Sequence, residues 1–225
     1  MRIATLVIAA SLTTLAAGSL SAQDADRSVK DGGVKVSDWK GRIDRRAITQ
    51  KKTINDSKMV ADGKGYRLSV GPAGNFWSDK NVAKGNYEVK AKFKELKMAA
   101  SHPHSYGLFI GGADLESDTE TLMYCIAYGN GTYAVKTFHG EKVTTLVPPT
   151  AHASLKKANA NGEATNEIGW RVKGDKASCV VNGTVLKSFA KSEVMGADKL
   201  TSTDGVYGIR VSHNLELAVS PITKK

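Results

Sequence analysis

The sequence predicts an all-β protein, a sandwich or barrel of short strands. Three observations carry that expectation. Short β-branched, aromatic and alternating segments recur, Gly- and Asn-containing turn signals separate them, and no long stretch has helical periodicity. The 225 residues suffice for one ordinary domain or a single large sandwich, and for little beyond it. With 41% hydrophobic and 24% charged residues, a wholly disordered or collagen-like chain is excluded.

The elements follow in chain order. Arg2 precedes an uncharged apolar run over residues 3–18, and Ser19, Leu20, Ser21 and Ala22 are small or apolar residues suited to a signal-peptidase site. Residues 1–22 therefore read as a secretory signal. The run is short for a membrane span and nothing comparable follows, so the processed chain is expected to be exported, periplasmic or extracellular, without a transmembrane segment. Residues 23–33 are polar and contain Gly32-Gly33, a flexible lead-in. One sandwich domain is expected over residues 34–219, followed by a basic tail at 220–225.

Within that domain, residues 86–94 alternate Tyr87, Val89, Ala91 and Phe93 with Glu88, Lys90, Lys92 and Lys94, which predicts a half-buried strand with one basic face. Residues 122–128 and 132–138 flank Asn130-Gly131, a dipeptide suited to a type I′ hairpin turn. A second hairpin joins 168–173 to 177–181 through Gly174-Asp175, and Asn182-Gly183 turns the chain into 185–189. In the last predicted strand, 206–212, Tyr207, Ile209 and Val211 lie on one side and Gly208 and Arg210 on the other. Residues 190–197 form a short helix or turn, and 151–165 a surface excursion.

Four segments carry a resemblance: residues 38–44 (DWKGRID), 104–112 (HSYGLFIGG), 181–183 (VNG) and 208–215 (GIRVSHNL). Together they resemble exported bacterial proteins with a concanavalin-like, laminin-G-like jelly-roll domain, close to the type named for 3-keto-disaccharide hydrolases. The resemblance covers roughly residues 39–219. It implies a lectin-type β-sandwich of two antiparallel sheets, and it does not imply catalysis, because this fold hosts binders and enzymes alike.

Several constellations have both a chemical and a plainer reading. Glu116, Asp118 and Glu120 have the spacing with which family 16 glycosidases aim three acids from a strand into one groove; the alternative is a solvated acidic loop after Gly111-Gly112. Asp114, with Glu116 and Asp118, offers a partial oxygen set for calcium; no other cofactor is expected. His102-Pro103-His104 reads as a surface loop before a metal or sugar site, and His213-Asn214 either caps a turn or faces a ligand at the rim. Cys125 and Cys179 lie in apolar runs and are either a disulfide or two buried thiols that never meet.

The net charge of +10 favours anionic partners. Lys90, Lys92, Lys94, Lys136, Arg171, Lys173 and Arg210 fall on the polar sides of predicted strands, where they either assemble a basic face for anionic glycans or form a solvated exterior. Of the aromatic residues whose faces suit sugar stacking, Trp39, Trp77, Trp170 and Tyr128, Trp170 reads as core and Trp77 as the rim candidate. The expected ligand contacts are thus Trp77, His104, Lys90, Lys92, Arg210 and Asn214. No nucleic-acid motif, Gly-x-Ser-x-Gly elbow, phosphate loop or dinucleotide fingerprint occurs, and nucleic acid is not an expected partner. The leading expectation is a non-catalytic module binding carbohydrate or an anionic envelope polymer. A glycan-processing enzyme using carboxylates near Glu116, and a structural protein-interaction module, are the alternatives.

Overall fold

The computed structural model describes residues 24–99 and 102–225, so the expected signal segment, residues 1–22, lies outside the described residues. The strands, in order, are β1 (Gly33–Val34), β2 (Trp39–Ile43), β3 (Lys58–Asp62), β4 (Gly65–Ser69), β5 (Gly74–Ala83), β6 (Tyr87–Glu95), β7 (Ser105–Ala113) and β8 (Thr121–Tyr128). They continue with β9 (Thr132–His139), β10 (Lys142–Ala151), β11 (Ala164–Lys173), β12 (Lys176–Val181), β13 (Thr184–Ala190), β14 (Gly205–Val211), β15 (Glu216–Val219) and β16 (Thr223–Lys224). Two short helices, α1 (Arg45–Thr49) and α2 (Lys191–Val194), interrupt them.

The strands form two facing sheets. One has seven strands in the order β10-β9-β8-β7-β14-β5-β2; the other runs β1-β3-β4-β15-β6-β11-β12-β13, with β16 added beside β6. Pairing is antiparallel throughout except between β1 and β3. The expected all-β sandwich of two antiparallel-rich sheets is the architecture found.

Alternation places the core. From β6, Tyr87, Val89, Ala91 and Phe93 point between the sheets; from β7 and β8, Tyr106, Leu108, Ile110, Met123, Cys125 and Ala127 meet them. Trp170 is fully buried there, and its indole Nε1 donates across the layers to the Leu108 carbonyl at 3.0 Å, so its polar atom is satisfied inside the core. Cys125 on β8 and Cys179 on β12 are joined by a disulfide, with 5.9 Å between their Cα atoms, and this bond ties the two sheets together.

Three local expectations change. The β8–β9 connection is a three-residue loop, 129–131, in which Gly131 alone takes positive φ (85°) and Asn130 Oδ1 accepts from the Thr132 amide, rather than a two-residue type I′ turn. Asn182 (φ 51°) and Gly183 (φ 83°) do form such a left-handed pair. The lead-in is anchored rather than loose: the Arg27 guanidinium donates to the Val70 and Leu215 carbonyls and pairs with Glu216 at 2.6 Å. The basic tail contributes β16, whose Thr223 and Lys224 register with Lys90 and Val89.

Candidate functional site

The outward face of the seven-stranded sheet carries a second apolar cluster. Trp77, Phe109, Leu122, Tyr124, Ile126, Ala134 and Phe138 point away from the inter-sheet core, yet all are buried. Register aligns them: Lys40, Trp77, Gly208, Phe109, Tyr124 and Lys136 stand in one transverse row across β2, β5, β14, β7, β8 and β9. Gly208 makes this row possible, because a Cβ there would sit 2.7 Å from the Phe109 ring.

Arg210 on β14 stands beside that row and organises the polar half of the face. It is only 7% exposed, and its guanidinium lies 5.2 Å from the Tyr124 ring centroid and 4.9 Å from that of Phe138, two rings themselves stacked at 5.5 Å. Asp44 holds it through two hydrogen bonds, Nη2 to Oδ2 at 2.7 Å and Nη1 to Oδ1. Burial by itself lowers the pKa of Arg210, but Asp44 outweighs it and the net direction is upward. Asp44 occupies the N-cap position of α1 without capping it, because its carboxylate is taken up by Arg210.

The network continues through neutral and acidic groups. Arg210 Nη1 donates to Asn75 Oδ1 at 3.3 Å, and Asn75 Nδ2 donates to Glu120 Oε2 at 3.2 Å. Glu120 is 6% exposed, and burial pushes its carboxyl up to about 6 against the opposing pull of Arg42, 3.8 Å away, and of Arg210. Lys136, half-buried on β9, is lowered by burial and by the nearby Arg210 charge. Between α1, the β9–β10 turn and this face lies a groove of about 580 Å³, within the size range of small-molecule sites, lined by Asp44, Arg45, Arg46, Glu120, Tyr124, Lys136, Phe138, Glu141, Val143 and Arg210 among others.

The structure distributes the expected site residues differently. Arg210 reaches the groove. Lys90, Lys92 and Lys94 on β6, and Arg171 and Lys173 on β11, belong to the other sheet, so the basic side chains divide between the two sheets and form no single face. Lys90 pairs with Glu167 at 3.0 Å, Lys94 with Glu163 at 3.2 Å and Arg171 with Glu88 at 2.7 Å, so three of these five cations are matched by a neighbouring acid. Trp77 is not a rim residue: it is 2% exposed, packed in the outward cluster with Leu115 from the 114–119 loop, and its Nε1 donates to Asp79 at 3.2 Å. Of the other rings considered, Trp39 tilts against Tyr66 and Tyr128 packs beside the outward cluster.

His104 is turned inward, edge-on to His213 with 4.3 Å between ring centroids; burial, then His213, lowers its pKa to about 4. His213 Nδ1 lies 2.9 Å from Asp26. Asn214 sits at φ 53°, and its side chain accepts from the Arg27 amide and donates to the Ala25 carbonyl, so it secures the incoming chain.

The acidic trio is not presented from a strand, since β8 begins only at Thr121. Glu116 and Asp118 are exposed on the loop and pair with Lys40 and with Arg42 and Arg45, respectively, leaving Glu120 alone on the groove floor. Asp114 is exposed at φ 53° in the same loop. Among the described residues, no three or more His, Cys, Asp or Glu side chains gather as a metal-binding group, and of the expected calcium set Glu116 and Asp118 are engaged in these ion pairs.

Sequence reasoning misses Asp44, Asn75, Tyr124 and Phe138. A signal is present in the sequence: residues 122–127 (LMYCIA) are apolar without interruption, as expected of a strand covered on both faces, and all are buried.

No protein-family model matches the sequence, and no curated protein matches it. Solved structures do. The carbohydrate-binding module CBM66 from Bacillus subtilis superposes with a TM-score of 0.56 at 8% identity, covering 86% of this chain and 99% of that one. A protein of unknown function with a galectin-like fold, also from Bacillus subtilis, gives 0.59 at 13% identity, covering 84% and 89%. The Bacteroides ovatus mixed linkage glucan PUL GH16, in complex with a G4G4G3G product, gives 0.51 at 11% identity and covers 81% of each chain. At such identities the likeness concerns architecture, and it shows that this chain has the jelly-roll β-sandwich fold shared by a carbohydrate-binding module and a GH16 protein.

Proposed function

We propose that this chain is an exported module that binds carbohydrate, or another envelope polymer of similar chemistry, without catalysis, and that its ligand occupies the groove on the outward face of the seven-stranded sheet. The observation that carries the reading is the Arg210–Asp44 pair stacked on Tyr124 and Phe138 at the groove wall. It sets charged and polar groups beside two aromatic side chains that line the groove, the combination that orients a polyhydroxylated ligand. The shared architecture of the CBM66 module supports the reading at the level of fold alone. The Cys125–Cys179 disulfide supports export, since such bonds persist in oxidising compartments.

A glycan array probed with the processed protein tests it. Binding that is lost on Tyr124→Ala supports the groove, and an array without a single binder overturns the reading. One observation favours a second reading, a glycan-processing enzyme of the same fold. Glu120 is held near the groove with its carboxyl raised to about 6, a value suited to a proton donor. Glycan turnover abolished by Glu120→Gln would replace the binding reading with that one.

A further inference from the structure

We propose that the groove selects a carbohydrate bearing a carboxylate, of the uronic-acid class, and that Lys136 is the cation that receives it. The inference rests on the carbohydrate-binding reading and adds the ligand's charge to it.

The charges of the groove are unequal in their pairing. Arg210 is held by Asp44, Arg45 pairs with Glu141 and Asp118, and Arg42 pairs with Asp118 and approaches Glu120. Lys136 stands apart: among the described residues it has no hydrogen bond and no ion pair, although it lines the groove and is half-buried. Its cross-strand neighbours are Tyr124 on β8 and Thr145 on β10, neither of which brings a negative charge. The charge that acts on it is the like charge of Arg210.

An ammonium group in that position has lost part of its hydration and is repelled by a neighbour. A ligand carboxylate seated beside it relieves both penalties at once. The acids that line the groove are engaged elsewhere, Asp44 by Arg210, Glu141 by Arg45 and Glu120 by Asn75 and Arg42. A single ammonium favours a monoanion, whereas a phosphate dianion calls for the several converging donors seen in arginine clusters. Tyr124 and Phe138, stacked together under one side of Arg210, line the groove with the exposed Val143 and give it an apolar portion beside the charges.

The test is calorimetric titration with uronic-acid oligosaccharides of several linkages, each beside its methyl ester, which removes the charge and keeps the shape, and with the matching neutral hexose oligomers. For at least one linkage the acid is expected to bind about 10-fold or more tightly than its ester, a ratio that shrinks as salt is raised. Lys136→Gln is expected to bring acid and ester within about 2-fold, and Lys136→Arg to keep the preference. Circular dichroism of both variants establishes that they fold. Equal binding of acid, ester and neutral oligomers would overturn the inference and leave the carbohydrate reading standing. A preference that survives in Lys136→Gln would remove Lys136 from the role. Failure of every acidic and neutral oligomer to bind would overturn both.

Discussion

Asp44 and Arg210 lie 166 positions apart in the chain and meet in a two-pronged ion pair at the wall of a groove. Arg210 arrives on β14, registered with Asn75 on β5 and Gly107 on β7, while Asp44 is the single residue between β2 and α1. The pair therefore fixes α1 against the outward face, and α1 forms the groove's far side.

Because the guanidinium is buried, removing its partner is expected to cost more than the pair itself contributes. Asp44→Asn should destabilise the protein by about 3–5 kcal/mol, while Asp44→Asn combined with Arg210→Met should be less damaging than the sum of the two changes. Urea unfolding of the four proteins of this cycle measures the difference. Additive effects would show that the two side chains act independently.

The disulfide closes a loop across the two sheets, its cysteines separated by 54 positions in sequence. A crosslink of that span is expected to contribute about 2–5 kcal/mol, chiefly by restricting the unfolded chain. Reduction, or the Cys125→Ala Cys179→Ala protein, should lower the urea midpoint accordingly. Thiols that alkylate readily in the folded, unreduced protein would contradict the bond.

Two buried groups set opposing pH dependences. Glu95, at the end of β6, is fully buried with neither carboxylate oxygen hydrogen-bonded, and burial raises its pKa from 4.5 to about 7. The folded state therefore holds its proton more tightly than the unfolded state, so this contribution is complete below about 4.5 and is lost as pH rises through about 7. His104 acts in the other direction. Burial lowers its pKa from 6.5 to about 4, so its contribution is present above 6.5 and is lost as pH falls through about 4. Glu95→Gln should flatten the alkaline fall in stability, and His104→Phe the acid one. Melting curves from pH 4 to pH 8 separate the two, and an unchanged profile in Glu95→Gln would show that its carboxyl is solvated.

The 114–119 loop holds Leu115 against Trp77 and Phe109 and is tied down by exposed ion pairs, Glu116 to Lys40 and Asp118 to Arg42 and Arg45. Exposed pairs of this kind are weak individually, so Leu115 is expected to matter more than its charged neighbours. Leu115→Ala should destabilise the protein by about 2 kcal/mol or more, and Glu116→Gln by less than about 1 kcal/mol. Unfolding by urea compares them, and the reverse ranking would assign the loop's position to its charges.

Strand alternation makes much of the sandwich legible in the sequence: the inward Tyr87, Val89, Ala91 and Phe93 of β6 and the side assigned to Arg210 both follow from period two. The groove is not legible there, because alternation says which face a residue takes and not which sheet its strand joins. That is why Lys90 and Arg210 read as neighbours in the sequence while they occupy different sheets. Asp44 has no local mark, since its role depends on a partner at the other end of the chain. Trp77 reads as a rim residue because its shelter, Leu115, comes from a loop whose course no periodicity describes.

Recognition by the outward face of the seven-stranded sheet is tested most directly by amide chemical-shift mapping of the labelled protein with a glycan it binds. The expected shifts cluster on Tyr124, Lys136, Phe138 and Arg210 and at the start of α1. Shifts gathered instead on Lys90, Lys92 and Lys94 of the opposite sheet would contradict it.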